Sequence, residues 1–275
     1  MISAFYFPGK AGDALLQWPV AYHWAKQNEQ RVEVWLDRKS CTCLENLFRA
    51  QPVVADVRLF DHTENYSCGG QPWAGKFTTA DHIEHKIVPM GLHTFPQRQI
   101  TMETLQNVPL HVDSQAFALE PVFQRSGQAA LSRCVLHGTF QTHMGSVPGF
   151  WRFLNRVMPE LTERFDEIVF VGSPDERERA AQLYPQCSTF DDGNDFLKLA
   201  EHIDRAQLVI GAGSSVVALA GALKVVSVRV HDPIGEAPKS VWSNLGDNQI
   251  NEIEADLRRL FLPFMDRWCP RLEPA

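Results

Sequence analysis

The 275-residue sequence lacks the marks of several large protein classes. No apolar run approaches the ~20 residues that a membrane-spanning helix needs. Its 26 Lys and Arg are outnumbered by 33 Asp and Glu, for a net charge of −7, so no overall positive field attracts nucleic acid or anionic lipid. The segment from Met1 to Phe7 lacks the basic flank and the length of a secretory signal. We predict a first strand there and a cytoplasmic protein.

Cysteine pairs of the metal-binding or redox kind are also missing. The six cysteines form no Cys-x-x-Cys motif, and Cys41 and Cys43 are too close in sequence for an ordinary zinc knuckle. We expect reduced, mostly structural thiols. The 44% hydrophobic and 21% charged residues are typical of a globular protein with one large domain or two ordinary ones.

The dinucleotide fingerprint Gly-x-Gly-x-x-Gly does not follow the first predicted strand. That stretch offers only Gly9-x-x-Gly12, and Asp37 is the acidic residue nearest to a ribose-binding position after the second predicted strand. The sequence therefore disfavours a dinucleotide-dependent oxidoreductase.

One strand–turn–helix–strand unit, from Gln207 to Val230, is the clearest pattern that the sequence does contain. An apolar run stops at Gly211-Ala212-Gly213, a small-residue helix follows, and a β-branched run closes the unit. Ser214 and Ser215 fall where N-cap residues belong. A helix start with free N–H groups, the positive dipole end and two hydroxyls can hold a phosphate. The alternative is that these residues only make a turn and a cap.

Alternating strands and helices precede this unit in both halves of the chain. The first half predicts strands over 2–7, 31–36 and 53–60 and helices over 14–26 and 44–50, with Asp13 as the first N-cap and a bend at Pro19. From 61 to 109 we expect loops with short helices, and 114–119 is a candidate last strand. The segment 120–132 is a candidate linker.

The second half restarts the same alternation. Its predicted strands cover 133–137, 167–171 and 188–190, its helices cover 148–161, 176–183 and 195–205, and an amphipathic helix ends the chain over 252–264. The sequence thus predicts an α/β protein with parallel sheets in two Rossmann-like domains that face a cleft. We assign them to 1–125 and 126–251, with a C-terminal helix and tail over 252–275 that can pack back on the first domain.

Several short motifs follow one another along the chain in a telling order. They are Gly12-Asp13-x-Leu15-x-x-x-Pro19, then Leu136-His137-Gly138-Thr139, then the runs from Val169 to Glu176 and from Leu199 to Leu223. In spacing and order they resemble the first-helix motif, the donor-domain strand and threonine loop, the next strand and turn, and the donor-site block of one family. That family is the family 9 glycosyltransferases, the ADP-heptose:lipopolysaccharide heptosyltransferases of GT-B fold. Together these matches cover about two-thirds of the chain.

The sequence also departs from the family. Where heptosyltransferases place Asp-Thr-Gly-x-x-His, this chain has 213–218 without the acidic residue or the histidine. Lysine is absent from the loop 140–149, and the chain is shorter than we expect of the family. The expected fold survives these changes, whereas ADP-heptose as the donor does not follow.

The resemblance implies a transferase that moves a sugar from a nucleotide-diphosphate donor to an acceptor hydroxyl without a metal or other cofactor. Asp13 would be the general base, beside Gly12 on the acceptor side, with helix capping as its simpler alternative. Lys10, by position and charge alone, could neutralise the leaving group, although a solvated charge is the simpler explanation. Candidate donor-binding residues are Thr139, Ser173, Gly211, Gly213, Ser214, Ser215, Glu236 and Lys239.

Other functions of the same fold stay open. The same architecture serves nucleotide-sugar epimerases and hydrolases. The lost acidic residue and histidine would also fit a non-catalytic nucleotide-sugar-binding protein. The aromatic and histidine-rich region 66–95, with His82 and His85, is a candidate acceptor surface for a glycan, a protein or a nucleobase. His82 and His85 could share a helix face as metal ligands, but their spacing matches no zinc signature, and we predict no metal. The oligomeric state is not predicted.

Overall fold

The computed structural model describes residues 2–7, 10–60, 85–89, 121–138, 147–212, 214–230, 249–250, 265–267 and 269. The chain divides into two compact units. The first contains Met1–Gln124 with Asp195–Leu197, and the second contains Arg125–Asn194 with Lys198–Ala275. Each unit is built on its own parallel sheet.

Four described strands form the sheet of the first unit, in the order β3-β2-β1-β4, and all pair in parallel. The elements are β1 (Ile2–Phe7), α1 (Ala11–Gln27), β2 (Val32–Asp37), α2 (Arg38–Cys41), a 3-10 turn (Thr42–Leu44), α3 (Glu45–Arg49), β3 (Val54–Phe60) and β4 (His85–Pro89). The three predicted strands of this half are confirmed. Helices α2 and α3 occupy and extend the predicted helix at 44–50.

Trp18 of helix α1 lies at the centre of the first core. Its buried ring packs edge-on against Phe48 at 4.9 Å between centroids and stacks on Phe123 at 5.8 Å. Its indole Nε1 donates to the carbonyl of Val122 at 2.7 Å, which satisfies the one polar atom of the buried side chain. Pro19 lies inside α1, as predicted.

Two expectations for the first unit are wrong. Helix α1 begins at Ala11, so Asp13 is its third residue and not its N-cap. His85 begins strand β4, which pairs in parallel with β1, so the helix face expected at this position does not exist. The run His85–Pro89 is too short for a periodicity to show, and pairing with β1 decides its conformation.

Six described strands form the sheet of the second unit, in the order β10-β9-β8-β5-β6-β7, and all pair in parallel. The elements are β5 (Leu131–His137), α4 (Val147–Arg164), β6 (Glu167–Val171), α5 (Pro174–Leu183), β7 (Ser188–Phe190), α6 (Phe196–Asp204), β8 (Ala206–Gly211), α7 (Ser215–Ala222), β9 (Ser227–Arg229) and β10 (Gln249–Ile250). The predicted strand–turn–helix–strand unit is confirmed as β8-α7-β9.

The core of the second unit lies between its sheet and helix α4. Phe150, Leu154, Val157 and Leu161 recur at helical spacing along α4 and are fully buried against strands β5, β6 and β8. If the strands of this sheet are numbered from 1 to 6 along the chain, starting at β5, their order is the 3-2-1-4-5-6 of a doubly wound fold. The predicted parallel α/β architecture is therefore confirmed, whereas the cleft between two domains stays a prediction.

The segment 121–130 carries no regular secondary structure. The backbone N–H of Gln124 donates to the side-chain oxygen of Gln51 at 2.9 Å, within the first unit. Two residues later, the N–H and the hydroxyl of Ser126 donate to the buried carboxylate of Asp204 at 2.7 and 2.6 Å, within the second unit. The predicted helix at 252–264 and strand at 114–119 lie outside the described residues.

Candidate functional site

The strand order of the second unit reverses between β5 and β8. Strands β6 and β7 lie on one side of β5, whereas β8 and β9 lie on the other. Open parallel sheets bind ligands at the carboxyl ends of the strands that flank such a reversal. Here those ends are His137 of β5 and Gly211 of β8, which face each other in the strand register. This edge, with the loops that follow the two strands, is the candidate site.

Gly211 brings helix α7 close to the sheet at this edge. A Cβ at Gly211 would lie 2.7 Å from Cγ2 of Val217, so a side chain would push the helix away. The next residue, Ala212, donates its N–H to the carbonyl of His137 at 3.2 Å. The turn after β8 is thereby held against the end of β5.

Ser214 is the N-cap of α7, as predicted, but its hydroxyl does not cap the helix. The backbone is extended (φ −142°, ψ 166°), and the side chain accepts no hydrogen bond from the first turn. Its Oγ atom is buried and has no hydrogen-bond partner among the described residues. Ser215 is the first residue of the helix. Among the described residues, the site therefore has an unused hydroxyl beside the N–H groups of a helix start, which have no partner within the helix.

His137 is a functional candidate that the sequence analysis did not assign. Its ring is partly buried, and its Nδ1 atom is buried without a hydrogen-bond partner among the described residues. Burial lowers the pKa of this histidine, while the carboxylates of Glu176 and Asp192 act in the opposite direction. Its place as the last residue of the strand before Gly138-Thr139 was the signal that could have identified it.

The loop after β6 caps its own helix. The hydroxyl of Ser173 accepts the N–H of Glu176 at 3.4 Å, and the Glu176 carboxylate accepts the N–H of Ser173 at 2.9 Å. Pro174 occupies the first helical position. Ser173 is exposed, and its predicted contact with a donor stays a prediction.

The first unit has a corresponding edge. Its strand order reverses between β1 and β4, and helix α1 starts after the carboxyl end of β1. Lys10, which is exposed, Gly12 and Asp13 therefore follow that end of the sheet. His85 pairs with Ile2, at the amino ends of both strands, so it lies at the opposite edge of the sheet from the start of α1. The structure does not bring His85 together with Gly12.

Asp37 is the last residue of β2. An acidic residue therefore does end the second strand, whereas the strand predicted from the sequence ended at residue 36. Its carboxylate accepts the N–H groups of Lys39 at 3.4 Å and Ser40 at 3.2 Å, and thus caps helix α2. This capping contact accounts for the carboxylate at that position.

Five predicted site residues lie outside the described residues, namely Thr139, Gly213, Glu236, Lys239 and His82. Among the residues that are described, no group of three or more His, Cys, Asp or Glu is arranged to hold a metal ion. The described helices include none that is both long and apolar enough to cross a membrane.

Several solved structures share this fold. E. coli heptosyltransferase WaaC, solved with ADP, matches with a TM-score of 0.61 and 14% identity, over 99% of this chain and 100% of that chain. A glycosyl transferase family 9 protein from Veillonella parvula matches with a TM-score of 0.59 and 12% identity, over 91% and 85%. E. coli ADP-heptose LPS heptosyltransferase II matches with a TM-score of 0.57 and 11% identity, over 92% and 90%.

No family model and no curated protein matches the sequence. The structural likeness extends over nearly the whole chain, and the predicted resemblance to the family 9 glycosyltransferases is confirmed for the fold.

Proposed function

We propose that this protein is a glycosyltransferase that moves a sugar from a nucleotide-diphosphate donor to an acceptor hydroxyl. One observation at Ser214 carries the proposal. Ser214 is the N-cap of α7, at the strand-order reversal of the second unit, and its buried hydroxyl has no hydrogen-bond partner among the described residues. Such an edge is where open α/β sheets bind nucleotides, and a helix start favours their phosphates. The fold shared with heptosyltransferases and a family 9 protein supports the same function.

In this proposal the second unit binds the donor. The hydroxyls of Ser214 and Ser215 and the first N–H groups of α7 hold the diphosphate, and Gly211 keeps the helix close enough to do so. Negative charge grows on the diphosphate as the glycosidic bond breaks, and fixed N–H dipoles stabilise that charge without a metal ion. One solved neighbour, WaaC, binds ADP, which makes an adenosine diphosphate donor the first to test.

Asp13 is the proposed general base. It lies in the first turn of α1, after the carboxyl end of β1, where the strand order of the first unit reverses. A carboxylate there would take the proton of the acceptor hydroxyl as the hydroxyl attacks the anomeric carbon. Lys10 would add positive charge near the leaving group.

Asp13→Asn tests the assignment, because the amide keeps the shape of the side chain and cannot accept a proton. We expect acceptor-dependent release of nucleoside diphosphate to fall at least about 100-fold, the lower range for loss of a general base, with the melting temperature unchanged. Asp56→Asn is the matched control, since Asp56 is a half-exposed carboxylate of the same unit paired with Arg49. Full activity in Asp13→Asn would refute the assignment.

A panel of nucleotide sugars, with and without acceptors, tests the function itself. Acceptor-dependent release of nucleoside diphosphate supports transfer. Inversion at C2 of the sugar without an acceptor supports an epimerase, acceptor-independent release supports a hydrolase, and binding alone supports a non-catalytic protein. The acceptor panel should include a glycan, a peptide and a nucleoside, because the predicted acceptor region fits all three.

A further inference from the structure

Two polar atoms at the candidate site are buried without a partner among the described residues, the Nδ1 of His137 and the Oγ of Ser214. A buried polar group that makes no hydrogen bond costs about 1–3 kcal/mol. His137 is the last residue of β5, and Ser214 lies in the turn after β8. These two strands flank the strand-order reversal. A ligand at this edge that reached both atoms would satisfy both groups.

The side chain of His137 starts beside the turn that leads to Ser214. Its Cβ lies 3.7 Å from the position that a Cβ at Gly211 would take, and its carbonyl accepts the N–H of Ala212. Only Ala212 and Gly213 separate this glycine from Ser214 in the sequence.

We propose that His137 binds the nucleoside diphosphate of the donor through Nδ1, on the same edge as Ser214, and gains a proton as that anion binds. This inference rests on the proposed function and adds to it a binding residue and a proton-linked step. The proton comes from solvent and stays on the imidazole while the anion is bound. No covalent bond to the ligand is made or broken.

The charges around His137 explain why the proton follows the anion. Burial keeps the ring neutral in the free protein by lowering its pKa. The negative charges of Glu176 in α5 and of Asp192 in the loop after β7 act against burial and favour the protonated form of the ring. The negative charge of a bound diphosphate would act in the same direction as these two carboxylates and raise the pKa of the ring. Diphosphate binding and protonation of His137 would therefore reinforce each other.

Calorimetric titration of the full chain with ADP, UDP, GDP, CDP and dTDP tests the proposal at pH 7.5. Two buffers of different ionisation enthalpy report the protons taken up on binding. His137→Leu removes the proposed hydrogen bond. We expect a 10- to 100-fold larger dissociation constant, the range for loss of a hydrogen bond to a charged group. His137→Asn keeps a donor near the position of Nδ1 and cannot titrate, so we expect affinity within about threefold of wild type and the loss of its extra proton uptake.

His202→Asn is the matched control, because His202 is a second partly buried histidine of the same unit that contacts Arg133 and Phe190. It should bind as wild type and take up the same fraction of a proton. Circular dichroism establishes that each variant folds, and if His137→Leu does not, the proton uptake of wild type against His137→Asn decides the question.

The outcomes separate the two proposals. Weaker binding in His137→Leu, together with proton uptake that His137→Asn loses, supports the role of His137. Equal affinity in wild type and His137→Leu, or equal proton uptake in wild type and His137→Asn, overturns that role and leaves the proposed function standing. If wild type binds none of the five nucleotides, the proposed function fails, and the inference about His137 fails with it.

Discussion

Asp204, at the end of helix α6, is a buried carboxylate with several hydrogen bonds. It accepts from the N–H and the hydroxyl of Ser126 and pairs with the guanidinium of Arg125. Burial alone would raise the pKa of this carboxyl, but the hydrogen bonds from Ser126 and Arg125 outweigh it, and the pKa lies below its usual value. The charged form therefore fixes the start of the second unit to α6.

Asp204→Ala should lower the free energy of unfolding by about 1–3 kcal/mol, because it removes the hydrogen bonds that Ser126 and Arg125 donate to this charged, buried carboxylate. Chemical denaturation at pH 7 measures this loss. Asp266→Asn is the control, since Asp266 is an exposed partner of Arg164 and its loss should cost less than about 1 kcal/mol. Because the pKa of Asp204 is lower in the folded chain than in the unfolded chain, its charged form stabilises the fold at pH values above the unfolded pKa of about 4. This contribution should disappear as the pH falls below that value.

A second dependence of stability on pH is expected from His202, whose surroundings disfavour its charged form. Its Nδ1 lies 3.1 Å from the guanidinium of Arg133, and its ring stacks on Phe190 at 4.0 Å between centroids. Burial first, then the positive charges of Arg133 and Arg205, lower its pKa to about 4, while Glu167 acts in the opposite direction. The unfolded histidine, with a pKa near 6.5, therefore binds more protons between these two values.

Stability should accordingly be full above pH 6.5 and fall as the pH decreases toward 4. We expect His202 to contribute about 1–2 kcal/mol of this change, because solvent screens its partly exposed ring. Urea denaturation of wild type and His202→Asn from pH 8 to 5 measures the contribution. Parallel curves for the two proteins would contradict it.

At the scale of single elements, helix α5 shows how one residue can carry two separable roles. The hydroxyl of Ser173 and the carboxylate of Glu176 cap the helix reciprocally, and Ser173 is also a predicted donor contact. Ser173→Ala should lower stability by about 1 kcal/mol, as the loss of an N-cap does. Glu178→Ala, an exposed change in the same helix, should cost less.

The two roles of Ser173 are distinguished by titration with ADP. Unchanged affinity in Ser173→Ala means that the hydroxyl serves the helix alone. An affinity loss of tenfold or more, absent from Glu178→Ala, supports the donor contact.

Elements with a sustained pattern were predictable from the sequence, and short or paired ones were not. The buried runs at β1, β6 and β8 and the helical spacing in α1 and α4 gave the correct element types. Strand β4 was missed because its conformation comes from pairing with β1, a contact distant in sequence. The start of α1 was placed too late, because Gly12 is a poor helix former and Asp13 is a favoured N-cap residue, and together they indicated a start at Asp13.

For the whole molecule, the sequence predicted the parallel α/β class and the family likeness, both confirmed for the fold. It named Ser214 and Gly211 as site candidates because turn chemistry is local. It did not identify His137, because the relevance of that residue depends on which strands are neighbours. Only the strand order of the second sheet puts the end of β5 next to the turn after β8.

The tight packing around two glycines at the candidate site has a consequence for how such a protein can diverge. Gly211 lies against Val217, and a Cβ at Gly138 would come within 2.8 Å of the Trp151 ring. Both positions must stay without a side chain for the neighbouring helices to keep their places. We therefore expect related chains to keep glycine at both positions, because a side chain at either one would force α7 or α4 to move.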